Sequence, residues 1–231
     1  MNRVFAIVRM QAAGRRDGLV WPLVILSIAF AVNLVLYGSM GEEMGDRPVT
    51  GGLASIYITA LAFGAMAMAQ QFPFALGMSV TRREFGAAIG LFTLAQTVIY
   101  AVLLVVFQAV EDATGGWGLR LRFFAPGDLG TYGVPTQLLV YGVPMLLMSC
   151  IGIALGAVYV RWRTNGVFGA IAAVMLVLGL AAALVTRAGK WPAVGDWLLG
   201  QSALSLFAGW PSIAVVLLAA LSWTALRKAT A

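Results

Sequence analysis

GVFGAIAAVMLVLGLAAALVT, residues 166–186, runs for 21 positions without a charged side chain. A helix needs about 20 largely apolar residues to cross the hydrocarbon core of a bilayer, and this stretch supplies them. The pattern recurs along the chain. Apolar runs separated by charged, Gly-rich or Pro-rich breaks cover 19–38, 52–71, 85–110, 134–159, 166–186 and 209–226. The expected fold is an all-α integral membrane protein: six transmembrane helices in a single transmembrane domain, with an N-terminal interfacial helix over 1–16 and short outer helices between spans five and six. Arg15 and Arg16 precede the first run as in a signal peptide. That run is too long for an h-region and no A-x-A site follows, so the segment is expected to be retained.

Composition points the same way and excludes much chemistry. Of 231 residues 61% are hydrophobic and 10% charged, where soluble domains carry about 25% charged residues. A water-soluble fold of this size cannot hide so much apolar surface. There is no His, so no Ser-His-Asp triad, His general base or His-metal site is possible within the chain. A lone Cys150 forms neither an intramolecular disulfide nor a CxxC metal site. No P-loop occurs, since Gly189-Lys190 is followed by Trp191. No catalytic, cofactor-binding or metal-binding residue is therefore expected in this chain.

The basic residues report topology rather than nucleic acid. With the N-terminus inside, the inner segments carry Arg3, Arg9, Arg15, Arg16, Arg82, Arg83, Arg161, Arg163, Arg227 and Lys228 against only Asp17 and Glu84. The outer loops carry five basic residues against seven acidic ones. By the positive-inside rule both termini are expected in the cytoplasm, in a multi-pass plasma-membrane protein. Aromatic belts agree: Trp21, Tyr159, Trp162 and Trp223 fall at inner ends, and Tyr37, Trp117, Tyr132, Trp191, Trp197 and Trp210 at outer ends.

Between the spans, three segments stand out. In 71–85, Pro73 ends the second span and Thr81-Arg82-Arg83-Glu84 has the spacing of a capping box. A short element over 74–80 and a new helix from Arg82 are expected. This segment is either an ordinary inner hairpin or a docking knob for a cytoplasmic partner. The 111–133 loop is Gly-rich and has no metal or catalytic spacing, so a flexible outer connection is expected. The 187–208 connection is too apolar for a solvated loop and too broken to span; buried, re-entrant or interfacial short helices are expected. Within the spans no ionisable residue sits near mid-membrane. Of the polar residues there, Asn33, Gln96, Tyr100 and Tyr141 are candidates either for interhelical hydrogen bonds or for a substrate path. Pro144 is expected to kink the fourth span, and Gly86/Gly90 and Gly152/Gly156 match small-xxx-small packing.

Phe72-Pro73-Phe74-Ala75-Leu76-Gly77-Met78-Ser79-Val80-Thr81-Arg82-Arg83-Glu84-Phe85 is similar to the G-x-[ST]-x-x-[RK]-[RK]-x-[FY] run of small bacterial members of the type-2 ABC exporter family. With the six-span arrangement, the whole chain resembles a permease subunit of that family. The resemblance implies that Phe72, Phe74, Leu76, Met78, Thr81, Arg82, Arg83 and Glu84 form a coupling element against a separate ATPase subunit, which holds ATP and Mg. It also implies two ATPase copies, a second permease chain, identical or homologous, and a hydrophobic or amphipathic cargo such as a drug, lipid or peptide-like molecule. The rival expectation is a non-transporting membrane anchor or assembly subunit that binds a cytoplasmic partner through the same loops.

Overall fold

The computed structural model describes residues 16–40, 50–124 and 132–228. The N-terminal interfacial helix expected over 1–16 lies, but for Arg16, outside them, as do the charges at Arg3, Arg9, Arg15, Glu42, Glu43, Asp46, Arg47 and Asp128. Helices account for nearly all of the described chain: α1 (Arg16–Met40), α2 (Ala54–Met66), α3 (Phe72–Gly77), α4 (Arg82–Ala113), α5 (Val134–Arg187), α6 (Trp191–Leu199) and α7 (Trp210–Lys228). Among the described residues there is no β-strand. Five continuous helical stretches are long and apolar enough to cross a bilayer: Leu19–Ser39, Ala54–Gly77, Arg82–Ala113, Val134–Arg187 and Ser205–Thr224. The architecture is an all-helical bundle compatible with a membrane protein.

The 54-residue α5 is two helices joined at a corner. Arg163 has φ 54° and ψ −153°, a region essentially reserved for glycine. A Cβ placed on Gly166 would meet the Val158 side chain at 3.3 Å, whereas eight residues of straight helix separate the two positions by about 12 Å. The chain therefore bends sharply between them. Arg163 is the residue at which the backbone of α5 leaves helical values, in the break expected between the fourth and fifth spans, and Pro144 lies inside the first half of the helix.

Two further boundaries differ from expectation. The second span does not stop at 71, because a π turn over Ala67–Gln71 carries α2 into α3 and leaves Pro73 in the first turn of the new helix. Proline is tolerated there, since first-turn amides have no intrahelical acceptor. The last span starts earlier than 209, through a second π turn over Ser205–Gly209.

Glycine decides how the bundle closes. A Cβ on Gly152 would overlap the Leu61 carbonyl, and one on Gly156 would come within 2.6 Å of the Ala65 carbonyl. From the other side, a Cβ on Gly64 would lie 2.6 Å from the Ser149 carbonyl. The backbones of α2 and the first half of α5 are thus in direct contact, the arrangement small residues permit in membranes. Gly90 is different: a Cβ there meets nothing within 4 Å. Of the two small-xxx-small pairs, Gly152/Gly156 forms a tight seam, whereas Gly90 of the other faces open space.

Two cores result. The larger gathers Leu26 of α1, Ile56 and Ala60 of α2, Tyr100 and Leu104 of α4, Tyr141 and Met145 of α5, and the loop residues Leu121, Phe123 and Phe124. The smaller joins Met68, Phe72, Ala75, Phe85, Ile89 and Ile153 at the opposite end. The second half of α5 belongs to neither. From Ile171 to Ala181 every residue is exposed, three turns of apolar helix with no face buried in the chain.

Candidate functional site

The 72–85 segment is a helix–turn–helix closed by hydrogen bonds on both sides of its turn. Its first half, α3, ends in a Schellman motif: the Val80 amide donates to the Ala75 carbonyl and the Ser79 amide to the Leu76 carbonyl, both at 3.1 Å. This motif needs a left-handed residue just past the cap, and Ser79 takes it with φ 59°, at a cost of about 1–2 kcal/mol for a residue with a Cβ. Its second half is the capping box. Thr81 Oγ1 accepts from the Glu84 amide at 3.2 Å, and Glu84 Oε2 accepts from the Thr81 amide at 3.0 Å. The two helix ends are pinned together by Phe72 and Phe85, both buried, whose rings meet edge-on at 5.3 Å.

This framework divides the predicted coupling residues by role. Phe72 is inside, holding the turn. Phe74 and Met78 stand outside, 63% and 54% exposed, with no core to fill. Leu76 packs partly against the small core. Thr81 and Arg83 are exposed, and Arg82 and Glu84 half-exposed. The result is an apolar knob beside two arginines, held by hydrogen bonds at both ends.

Of the four candidate polar residues of the spans, Asn33, Tyr100 and Tyr141 hydrogen-bond within the chain. Asn33 Nδ2 donates to the Ala29 carbonyl at 2.8 Å. Tyr100, buried, donates to the Leu19 carbonyl at 2.9 Å and ties α4 to α1. Tyr141, also buried, donates to the Phe124 carbonyl at 2.6 Å and lies 2.8 Å from Gln108 Oε1. Gln96 is buried on α4, one turn before Tyr100.

Residues 111–124 depart from the flexible connection that their composition suggests. Glu111, at the end of α4, is 1% exposed. Its carboxylate accepts the amides of Phe123 at 2.9 Å and Phe124 at 3.0 Å, and the Trp117 indole N–H at 3.2 Å. It thereby folds the loop back over the bundle. Phe123 and Phe124 then pack with Phe30, Phe107 and Trp117 into one aromatic cluster. A sequence pattern for this exists in hindsight: an acid at a helix end, followed within a dozen residues by Trp and a Phe-Phe pair among glycines. Beside the clamp, Asp112, Arg120 and Arg122 help wall a cavity of about 440 Å³.

At the other connection, α6 is a short helix with no buried residue. It is anchored by the Trp191 indole, which donates to Thr186 Oγ1 at 3.0 Å, and by the Trp197–Trp210 ring pair at 5.7 Å. Among the described residues no group of three His, Cys, Asp or Glu side chains is placed to hold a metal ion. Comparison with protein-family models, with curated proteins and with solved structures gives no match.

Proposed function

We propose that this chain is the transmembrane permease subunit of an ATP-driven exporter of the type-2 ABC kind, moving a hydrophobic or amphipathic substrate while a separate subunit hydrolyses ATP. The observation that carries the reading is the 72–85 helix–turn–helix. A knob with Phe74 and Met78 exposed beside Arg82 and Arg83, capped at both ends, is what a partner needs in order to push on a bundle. A flexible loop would absorb that push. In this reading α5 counts as two spans meeting at Arg163, which makes six in all, with the 72–85 turn, the Arg163 corner and both termini in the cytoplasm and residues 1–16 along the inner interface.

Force enters through α3 and the start of α4. Phe72 and Phe85 transmit it to Met68, Ile89 and Ile153, and so to α2, α4 and α5 together. The working transporter has two ATPase copies, which hold ATP and Mg, and a second permease chain. The α6 helix lies in the outer interface near the exit.

The test is Arg82→Glu with Arg83→Glu in the complex purified from its own membrane. Membrane insertion and thermal midpoint are expected to stay unchanged, while copurification of the ATPase and substrate-stimulated hydrolysis fall about tenfold or more, as loss of charge-assisted contacts would produce. Full ATPase recovery and transport by the double variant would sink the docking role. A complex with no ATPase in the unmodified protein would favour the anchor reading.

A further inference from the structure

One face of α4, Gly86, Ile89, Gly90, Thr93, Leu94, Thr97, Val98, Ala101 and Val102, lines two cavities that meet at Leu146 of α5. The spacing of three and four residues is that of a single helical stripe. Opposite it runs a matching stripe of α5, and α7 closes one part with Ala219, Ser222 and Trp223. The cavities measure about 270 and 480 Å³ and share Leu146 in their walls, so they lie end to end along α4. From Gly86 to Val102 this trough extends about 24 Å along the helix, most of the roughly 30 Å hydrocarbon thickness. The depth comes from small residues on its floor, and the opening is sideways, past the exposed Leu94, Val98 and Leu139.

Two features indicate an occupant. Ser222 and Thr97 are each more than nine-tenths buried, line the trough, and have hydroxyls with no hydrogen-bond partner. Elsewhere in these helices the Thr59, Thr186 and Thr224 hydroxyls bond back to a carbonyl of their own helix, while the Ser55 hydroxyl of α2 is likewise unpartnered. An unmade bond at such a site costs about 1–3 kcal/mol unless a ligand completes it. The second feature is charge. Arg82 and Arg83 lie four and three residues before Gly86, so they stand over one mouth of the same stripe.

We propose that the trough binds one acyl chain of an anionic phospholipid, with the phosphate against Arg82 and Arg83 and the hydrocarbon along α4, past Ser222 and Thr97, toward Val102. The arginines favour an anionic head over a zwitterionic one. The binding needs no ATPase, although it shares Arg82 and Arg83 with the contact proposed for the ATPase; tested on the chain alone, it fails or succeeds independently of that reading.

The full chain in phosphatidylcholine nanodiscs, doped with phosphatidylglycerol bearing an acyl-chain diazirine, tests this by photolysis and peptide mapping. Adducts are expected on the α4 and α5 stripes in excess of those on Val174 to Leu180, the freely exposed turns of α5. Gly90→Leu, whose added side chain enters open space, and Ala219→Phe, which fills the trough from α7, are each expected to cut stripe labelling about tenfold. Gly179→Leu, a control on exposed helix, is expected to leave it unchanged. Even labelling of all exposed apolar positions, insensitivity to whichever filling variant retains its fold, or equal labelling by a phosphatidylcholine diazirine would overturn the proposal.

Discussion

Glu111 shows how one side chain converts a loop into structure. A buried carboxylate is costly unless its oxygens are satisfied, and here three N–H groups from 117–124 meet it. The bond is reciprocal, since without the carboxylate the Phe123 and Phe124 amides lose their acceptor in a buried setting. Glu111→Ala is expected to destabilise the fold by about 3 kcal/mol or more, with Glu111→Gln milder because it keeps one acceptor. Limited trypsinolysis provides the local readout: cleavage after Arg120 and Arg122 should accelerate in the Ala variant and only slightly in the Gln variant. Equal resistance of all three proteins would mean that the aromatic cluster holds the loop unaided.

At the scale of elements, the seam between α2 and α5 and the trough beside α4 make opposite demands on glycine. Gly152 and Gly156 touch backbone, whereas Gly90 touches nothing. Gly152→Leu should therefore force α2 and α5 apart and abolish a monodisperse folded protein in detergent, because close-packed interiors do not absorb such a volume. Gly90→Ala should be neutral or slightly stabilising, by up to about 1 kcal/mol of helix propensity. Thermal unfolding of the two variants checks both, and a folded Gly152→Leu protein would contradict the seam. Both glycine pairs have the same spacing in the sequence, so only the partner across each one tells them apart. The capping box at Thr81 and Glu84, by contrast, was legible in full, since its bonds join residues three apart. The Schellman turn before it was not, because serine at the left-handed position lacks the glycine that usually marks one.

For the whole molecule, the proposed mechanism needs the orientation that the charge asymmetry predicts. The Arg82–Arg83 turn and the Arg163 corner belong on one side, and Gln201, beyond α6, on the other. In a Cys150→Ser background, Gln201→Cys should react with a membrane-impermeant maleimide on intact cells, while Ser79→Cys should react only after permeabilisation. Labelling of Ser79→Cys in intact cells would reverse the topology and remove the coupling reading with it. The second half of α5 bears on the same scale: apolar on every face from Ile171 to Ala181 and packed on none, it presents its whole circumference to bilayer or partner.

By itself the sequence determined the solvent, the material and the register of this protein. Long uncharged runs suit lipid, lipid requires that backbone groups be satisfied within helices, and breaks in hydropathy mark where those helices end to within two turns. These are local properties, carried by consecutive residues. Tertiary structure alone decided which glycines touch a neighbour, that Glu111 reaches twelve and thirteen residues forward to close the outer loop, that Tyr100 and Tyr141 bond within the bundle, and that α4 carries an open trough with two unpartnered hydroxyls. Apart from the Glu111 clamp, whose acid, Trp and Phe-Phe pair stand within one short stretch, each depends on what lies across a helix interface, and no spacing along one chain encodes that.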